Sequence, residues 1–333
     1  MGKLNAAVIG VGSMGKNHAR IYFESDEVNL VAVADSDRKQ AASVGEKYGC
    51  NFYEDYKQML PSEKIDLLSV VVPTQYHKRV AFDCLDSGID ILIEKPIAHT
   101  IKDAEAIIGK AKKTGRKVMV GHIERFNPAV WELKKRLDRK ELGRIFKIST
   151  QRVGPFPARI RDVGVVIDLA THDIDIIRYL TGSEVMRLYA EAERKIHTKH
   201  EDLLDGVLKF RNNVIGILSV NWLTPEKIRE ISIVGEKGMF TAKYLTQELL
   251  FYENVDAVRR GYEYSDILMG VSEGDITSIR INKQEPLRVE LNYFIDSVRK
   301  DKPVPITPED GLESLRIATK LIESSKKNKV IRL

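Results

Sequence analysis

The chain has 333 residues, 43% hydrophobic and 30% charged, which is enough for two globular domains with their own cores. Its 53 basic and 48 acidic residues are interspersed, so the net charge of +5 forms no stripe for nucleic acid, and no apolar run is long enough to span a membrane. Cys50 and Cys84 have neither metal-ligand spacing nor the density of a disulfide framework, and the first strand starts within four residues of Met1. A cytoplasmic protein without a signal peptide or a metal site is expected.

Apolar strands are predicted at Asn5–Ile9, Val28–Ala34, Leu67–Val72, Ile89–Ile93 and Lys117–Val120. Amphipathic stretches alternate with them, such as Asp103–Lys113, where Ala104, Ile107, Ile108 and Ala111 share a face. That alternation implies an α/β domain, a doubly wound parallel sheet covered by helices on both faces. Between the first strand and the first helix stands Gly10-Val11-Gly12-Ser13-Met14-Gly15. Gly10 permits the tight turn, Gly12 lets the backbone approach a pyrophosphate, and Gly15 lets the helix pack close to the strand. The first N–H groups of the helix then face the phosphates with no partner of their own. Asp35 ends the second strand 20 residues past Gly15, the spacing at which a carboxylate reaches the adenosine ribose. It would repel a 2′-phosphate, so NAD is favoured over NADP. Arg38 and Lys39, next in line, either offset that repulsion or stack on adenine.

Two further loops leave the carboxyl ends of predicted strands, where such sheets bind ligands. One holds Pro73, Thr74 and His77; the other is Glu94-Lys95-Pro96. Lys95 is a cation on a loop stiffened by proline, suited to steadying an oxygen that gains charge as hydride leaves. A plain surface lysine after a strand is the competing reading, with Glu94 as its salt-bridge partner.

Gly121 marks a change of pattern and divides the chain into a dinucleotide domain, 1–121, and a substrate and oligomerisation domain, 122–333. In the latter, helices are predicted at Ala129–Lys140, Asp173–Tyr179, Leu287–Arg299 and Pro308–Ser325. Alternating strands are predicted at Val185–Glu193, Leu203–Phe210, Val214–Trp222, Ile228–Val234 and Met239–Tyr244, so this domain is α+β around a large, mainly antiparallel sheet. Residues 253–284 carry no regular pattern. An open sheet with apolar residues on its far face calls for a partner copy, a homodimer or homotetramer. Asp168 and His172 are four apart and share a helical face, where a carboxylate orients an imidazole as a general base. Two other readings stand: metal binding by His172, Asp173 and Asp175, or a capping histidine among solvated acids.

These residues together resemble the glucose–fructose oxidoreductase/inositol dehydrogenase family, Gfo/Idh/MocA. The likeness rests on Val8–Gly15, on Pro73-Thr74 with His77, on Glu94-Lys95-Pro96, on Asp168 with His172-Asp173-Ile174-Asp175, and on Pro308–Leu312. It implies hydride transfer between a sugar or cyclitol hydroxyl and NAD(P), with Lys95 polarising the reacting oxygen, Asp168 placing the substrate and His172 as acid/base. Two segments are similar to the nucleotide-sugar branch: Gly121–Pro128, containing Arg125 and Asn127, and Arg152–Ile167. Where many members carry consecutive glycines before the aspartate, only Gly164 stands here. The branch implies oxidation of the 3-hydroxyl of a UDP-N-acetylhexosamine, the product passing to an aminotransferase. Arg125, Arg152, Arg159 and Arg161 would supply planar donors to its pyrophosphate. The alternatives are another sugar, a UDP-uronic acid or inositol as substrate, and a dinucleotide-binding regulator without turnover. The regulator is disfavoured because Lys95, Asp168 and His172 are all present.

Overall fold

The computed structural model describes residues 2–157, 163–196, 199–254 and 274–333. They fall into two compact units, Met1–Ile123 with Glu285–Arg316, and Glu124–Gln284 with Ile317–Leu333.

In the first unit, β1 (Leu4–Ile9), β2 (Val28–Ala34), β3 (Asn51–Tyr53), β4 (Leu67–Val70), β5 (Asp90–Glu94) and β6 (Val118–Gly121) form one sheet in the order β3-β2-β1-β4-β5-β6. All pairings are parallel. Helices α1 (Ser13–Glu24), α2 (Arg38–Tyr48), α3 (Tyr56–Ser62), α4 (His77–Asp86) and α5 (Ile101–Thr114) connect the strands. β4 and β5 are buried along their whole length and mostly apolar, as a covered parallel sheet requires, with Ser69 and Glu94 among the buried exceptions. Strand order reverses between β1 and β4, so a ligand crevice is expected beyond their carboxyl ends. Gly10 follows β1 and Pro73-Thr74 follows β4.

Residues 285–316, expected in the second domain, pack with the first unit instead. They hold α8 (Pro286–Arg299) and the start of α9 (Pro308–Lys327). Arg20 and Glu24 on α1 pair with Glu285 and Arg288. A Cβ on Gly311 would meet Val120 at 2.9 Å and Ile97 at 3.2 Å, so that glycine lets α9 lie against β6. The third crossing falls inside α9, between Arg316 and Ile317, where a continuous amphipathic helix shows no break in pattern.

The second unit contains α6 (Pro128–Asp138), β7 (Ile145–Val153), α7 (Thr171–Thr181), β8 (Val185–Glu193), β9 (Leu203–Phe210), β10 (Ile215–Asn221), β11 (Ile228–Gly235), β12 (Gly238–Lys243), β13 (Glu248–Glu253), β14 (Ile276–Ile279) and β15 (Ile331–Arg332). The strands make a nine-stranded sheet, β14-β13-β12-β11-β7-β10-β9-β8-β15, antiparallel except for β7 beside β10. Val130, Leu133, Ile148, Ile174, Ile177, Leu208, Leu218 and Ile233 are among its buried core. Strand β7, at the middle of the sheet, is absent from the sequence reading because its inward positions run Ile148, Thr150, Arg152, a pattern a charged residue interrupts. β14 lies in the stretch left without assignment, of which residues 255–273 are outside the described residues. Among the described residues no helix is long and apolar enough to cross a membrane.

A Cβ on Gly15 would stand 1.8 Å from the Gly10 carbonyl oxygen. Gly15→Ala is therefore expected to push α1 off β1 at a cost of about 1–3 kcal/mol, seen as a lowered Tm. A melting curve superposing on that of the unaltered protein would show the contact to be soft.

Candidate active site

The first unit builds a dinucleotide half-site from backbone. Gly10 has φ +88°, and a Cβ there would lie 2.4 Å from the Val71 carbonyl oxygen, so only glycine fits. A Cβ on Gly12 would meet nothing within 4 Å, leaving that side of the turn open. The first hydrogen bond of α1 runs from Lys16 N to Gly12 O, so the N–H groups of Ser13, Met14 and Gly15 find no acceptor within the helix. Asp35 accepts from Val11 N at 2.8 Å and from Asp37 N at 2.9 Å, which fixes its carboxylate against the glycine turn. Arg38 is the exposed first residue of α2. An open turn, free helical N–H groups and an anchored acid fit a dinucleotide.

Pro73 and Thr74 open a single 3-10 turn, Thr74–Tyr76. His77 is buried, with ring nitrogens 2.9 Å from the Val72 and Pro96 carbonyl oxygens. Burial pushes its pKa down, against the pull of the two carbonyls. The sequence offers His77 to the cofactor; the fold turns it to main chain, where it ties the β4 loop to the Lys95 loop. Glu94 is also buried, accepting from Lys95 N at 3.1 Å and lying 3.2 Å from His18 Nε2. Burial alone would raise the Glu94 pKa, but the hydrogen bond and charge of His18, with the charge of Lys95, hold it below the usual carboxylate range. Lys95 is half-buried at the end of this loop.

The second unit carries the other residues. Asp168 sits in a π-turn, Val166–Ala170, that runs directly into α7, and His172 is in the first turn of α7. Such turns recur where a helix must re-aim side chains at a site. Both residues are half-buried.

The arginines behave differently from expectation. Arg125 donates through Nε and Nη2 to the two oxygens of Asp175, at 2.7 and 2.6 Å, a buried bidentate pair. Arg152 donates from Nε to Asp173 at 3.0 Å and from Nη1 to Glu124 at 2.9 Å, with its side chain 4% exposed. These two forks, which the sequence offers to a pyrophosphate, are held by carboxylates of the fold. Burial pushes the Asp173 carboxyl up to about 6, against the charge of Arg152, which Glu124 shares. Asn127, expected at the substrate, caps α6 by accepting from Ala129 N and donates to the Tyr244 carbonyl. Arg159 and Arg161 lie outside the described residues. Asp173 and Asp175 are structural counter-ions, and no metal-binding group occurs among the described residues.

Sequence reasoning missed Arg229 and Tyr244. Arg229 on β11 stands directly opposite Arg152 on β7, and Tyr244 N donates to the Arg229 carbonyl from the far side. The Arg152 guanidinium lies 5.4 Å from the centre of the Tyr244 ring. Burial first, then the charge of Arg152, lowers the Arg229 pKa to about 10. The available signal was the inward register of Arg152, since a buried arginine demands acids around it.

The open glycine turn, the free helical N–H groups and the anchored acid of the first unit are those of a dinucleotide-dependent oxidoreductase. The chain belongs to the Gfo/Idh/MocA oxidoreductase family: residues 4–122 match the description "Oxidoreductase family, NAD-binding Rossmann fold" and residues 130–241 the "GFO/IDH/MocA C-terminal domain". NAD is its cofactor. The chain is 27% identical to UDP-N-acetylglucosamine 3-dehydrogenase of Acidithiobacillus ferrooxidans, over 90% of each chain. The solved structure of that enzyme has a TM-score of 0.85 at 25% identity, covering 98% of this chain and 99% of the other. Scyllo-inositol 2-dehydrogenase (NAD(+)) of Bacillus subtilis is 33% identical over 95% of this chain and 92% of its own.

Replacing Arg125 by Met leaves the Asp175 carboxylate buried without its fork. Chemical denaturation is expected to report a loss of about 3–5 kcal/mol. A loss under about 1 kcal/mol, the range of an exposed pair, would return Arg125 to the substrate.

Proposed function

We propose that the protein oxidises the 3-hydroxyl of UDP-N-acetylglucosamine to the 3-keto sugar nucleotide. The observation that carries this is the likeness to the UDP-N-acetylglucosamine 3-dehydrogenase across nearly the full length of both chains. The N–H groups of Ser13 and Met14 and the open side of Gly12 hold the dinucleotide pyrophosphate, and Asp35 takes the ribose. Bound NAD⁺ supplies the acceptor for the hydride leaving the sugar carbon. His172 receives the hydroxyl proton, Lys95 steadies the oxygen as it gains negative charge, and Asp168 orients the sugar. The 3-keto product has the chemistry an aminotransferase consumes, and the setting is cytoplasmic.

A second reading, a cyclitol substrate, is favoured by two observations. One is the 33% identity to the scyllo-inositol enzyme. The other is the internal pairing of Arg125 and Arg152, which removes two cations from a nucleotide pyrophosphate. Incubation with NAD⁺ and either UDP-N-acetylglucosamine or scyllo-inositol, with hydroxylamine to trap the ketone, separates the two by mass spectrometry. An oxime of the nucleotide sugar is expected; an oxime from scyllo-inositol alone overturns the nucleotide-sugar assignment. Lys95→Met and His172→Asn are expected to lower kcat about 10²- to 10⁴-fold while NAD still binds. Full turnover by either would remove that residue from the mechanism.

The reading includes a homodimer or homotetramer formed through the sheet face of the second unit opposite its buried core. There Val207 is 46% exposed and Ile215 40%, with Ile217 paired across from Val207. Val207→Glu is expected to reduce the mass measured by light scattering to that of the monomer. A monomeric unaltered protein would dispose of the idea.

A further inference from the structure

A line of buried polar groups runs beneath the Lys95 loop and has no place in the chemistry above. His18 and Tyr22 lie one turn apart on α1, both 0% exposed, and face the sheet. Tyr22 Oη is 2.8 Å from Ser69 Oγ on β4, and Ser69 Oγ is 3.0 Å from His18 Nδ1. His18 Nε2 lies 3.2 Å from Glu94 Oε1 at the end of β5, and Glu94 Oε2 takes the Lys95 N–H at 3.1 Å. Gly121 on β6 makes room for the carboxyl, since a Cβ there would come within 3.1 Å of Glu94 Cδ.

A charged His18 ring donates to Glu94 from Nε2 and to Ser69 Oγ from Nδ1; in the neutral ring one proton arrangement satisfies every group. An ionised Glu94 only accepts, so His18 donates to it from Nε2. His18 Nδ1 is then the acceptor for the Ser69 hydroxyl, and the Ser69 oxygen accepts from Tyr22. Every donor points toward Glu94, and Glu94 in turn holds the backbone of Lys95. Well-packed apolar side chains in place of such an array are often neutral or stabilising, so the array is poorly explained by stability alone. Its geometry, however, fixes a carboxylate that a strand end would otherwise leave free to rotate.

We propose that His18 is a positioning residue for Lys95, acting through Glu94, so that the helix presenting its first N–H groups to the dinucleotide also sets the place of the lysine. This rests on Lys95 being catalytic. A misplacement of about 1 Å at a reacting group can cost about 100-fold in rate, which is the scale on which the link acts.

The test compares His18→Asn, which is too short to reach Glu94, with His18→Gln, whose amide reaches the Nε2 position. Two readouts are taken: kcat with UDP-N-acetylglucosamine, and the labelling rate of Lys95 by trinitrobenzenesulfonate across pH, resolved by peptide mass spectrometry with Lys39 as internal reference. For His18→Asn, kcat is expected to fall about 10- to 100-fold, with NAD affinity kept. The Lys95 labelling profile is expected to shift while that of Lys39 does not, and His18→Gln is expected to restore both. An unshifted Lys95 profile in a folded, NAD-binding His18→Asn protein overturns the proposal. If His18→Asn does not fold, Ser69→Ala carries the test by the same two readouts. Should the unaltered enzyme not turn over UDP-N-acetylglucosamine, the substrate assignment fails, and the labelling arm still decides the link from His18 to Lys95.

Discussion

The contact on which the first unit depends is backbone on backbone. α1 lies against the end of β1 only because Gly15 carries no Cβ, which would collide with the Gly10 carbonyl, while Gly10 lacks one to clear the Val71 carbonyl after β4. That single approach has two consequences. It brings free helical N–H groups to the open side of Gly12, where a pyrophosphate would meet them. It also lowers the next turns of α1 onto the sheet, so that His18 and Tyr22 reach Ser69 and Glu94. Cofactor cradle and lysine loop are thereby fixed by one helix, and His77 fastens the same loop from the other side through the Pro96 carbonyl.

In the second unit the organising interactions are buried ion pairs. The first turns of α7 carry two acids, Asp173 and Asp175, each held by an arginine, Arg152 from β7 and Arg125 from the 3-10 turn Ile123–Phe126. Breaking either pair strands a charge away from water, a cost far above that of an exposed pair. The first turn of α7, and with it His172, is therefore seated by electrostatics as well as by Ile174 and Ile177 in the core. The π-turn just before it sets the phase at which Asp168 enters the same helix.

The parallel sheet was legible because its signals are local. Apolar strands, amphipathic helices and three glycines at fixed spacing each dictate structure within a few residues. The order β3-β2-β1-β4-β5-β6 follows once those units are wound with one hand. The second unit was legible only where strands alternate cleanly. β7 escaped because Arg152 occupies an inward position, and its partners, Glu124 and Asp173, lie 28 and 21 residues away. The return of residues 285–316 to the first unit was hidden for a similar reason. It is sealed by long-range pairs such as Arg20 with Glu285, which no window of sequence contains.

The same blindness explains why site residues divide as they do. Lys95, Asp35 and the glycines are placed by the strand ends that precede them, so position in the chain already tells their neighbourhood. An arginine is different: its guanidinium suits a phosphate and a carboxylate equally well, and sequence cannot say which arrives first. In Arg125 and Arg152 the fold's own carboxylates arrive first. Arg229 is the contrasting case. It stands beside Arg152 in the sheet, its Nη1 spent on the Ile228 and Val153 carbonyls rather than on an acid. Burial first, and then the neighbouring charge of Arg152, lowers the Arg229 pKa to about 10 against the pull of Asp173, Glu124 and Asp168.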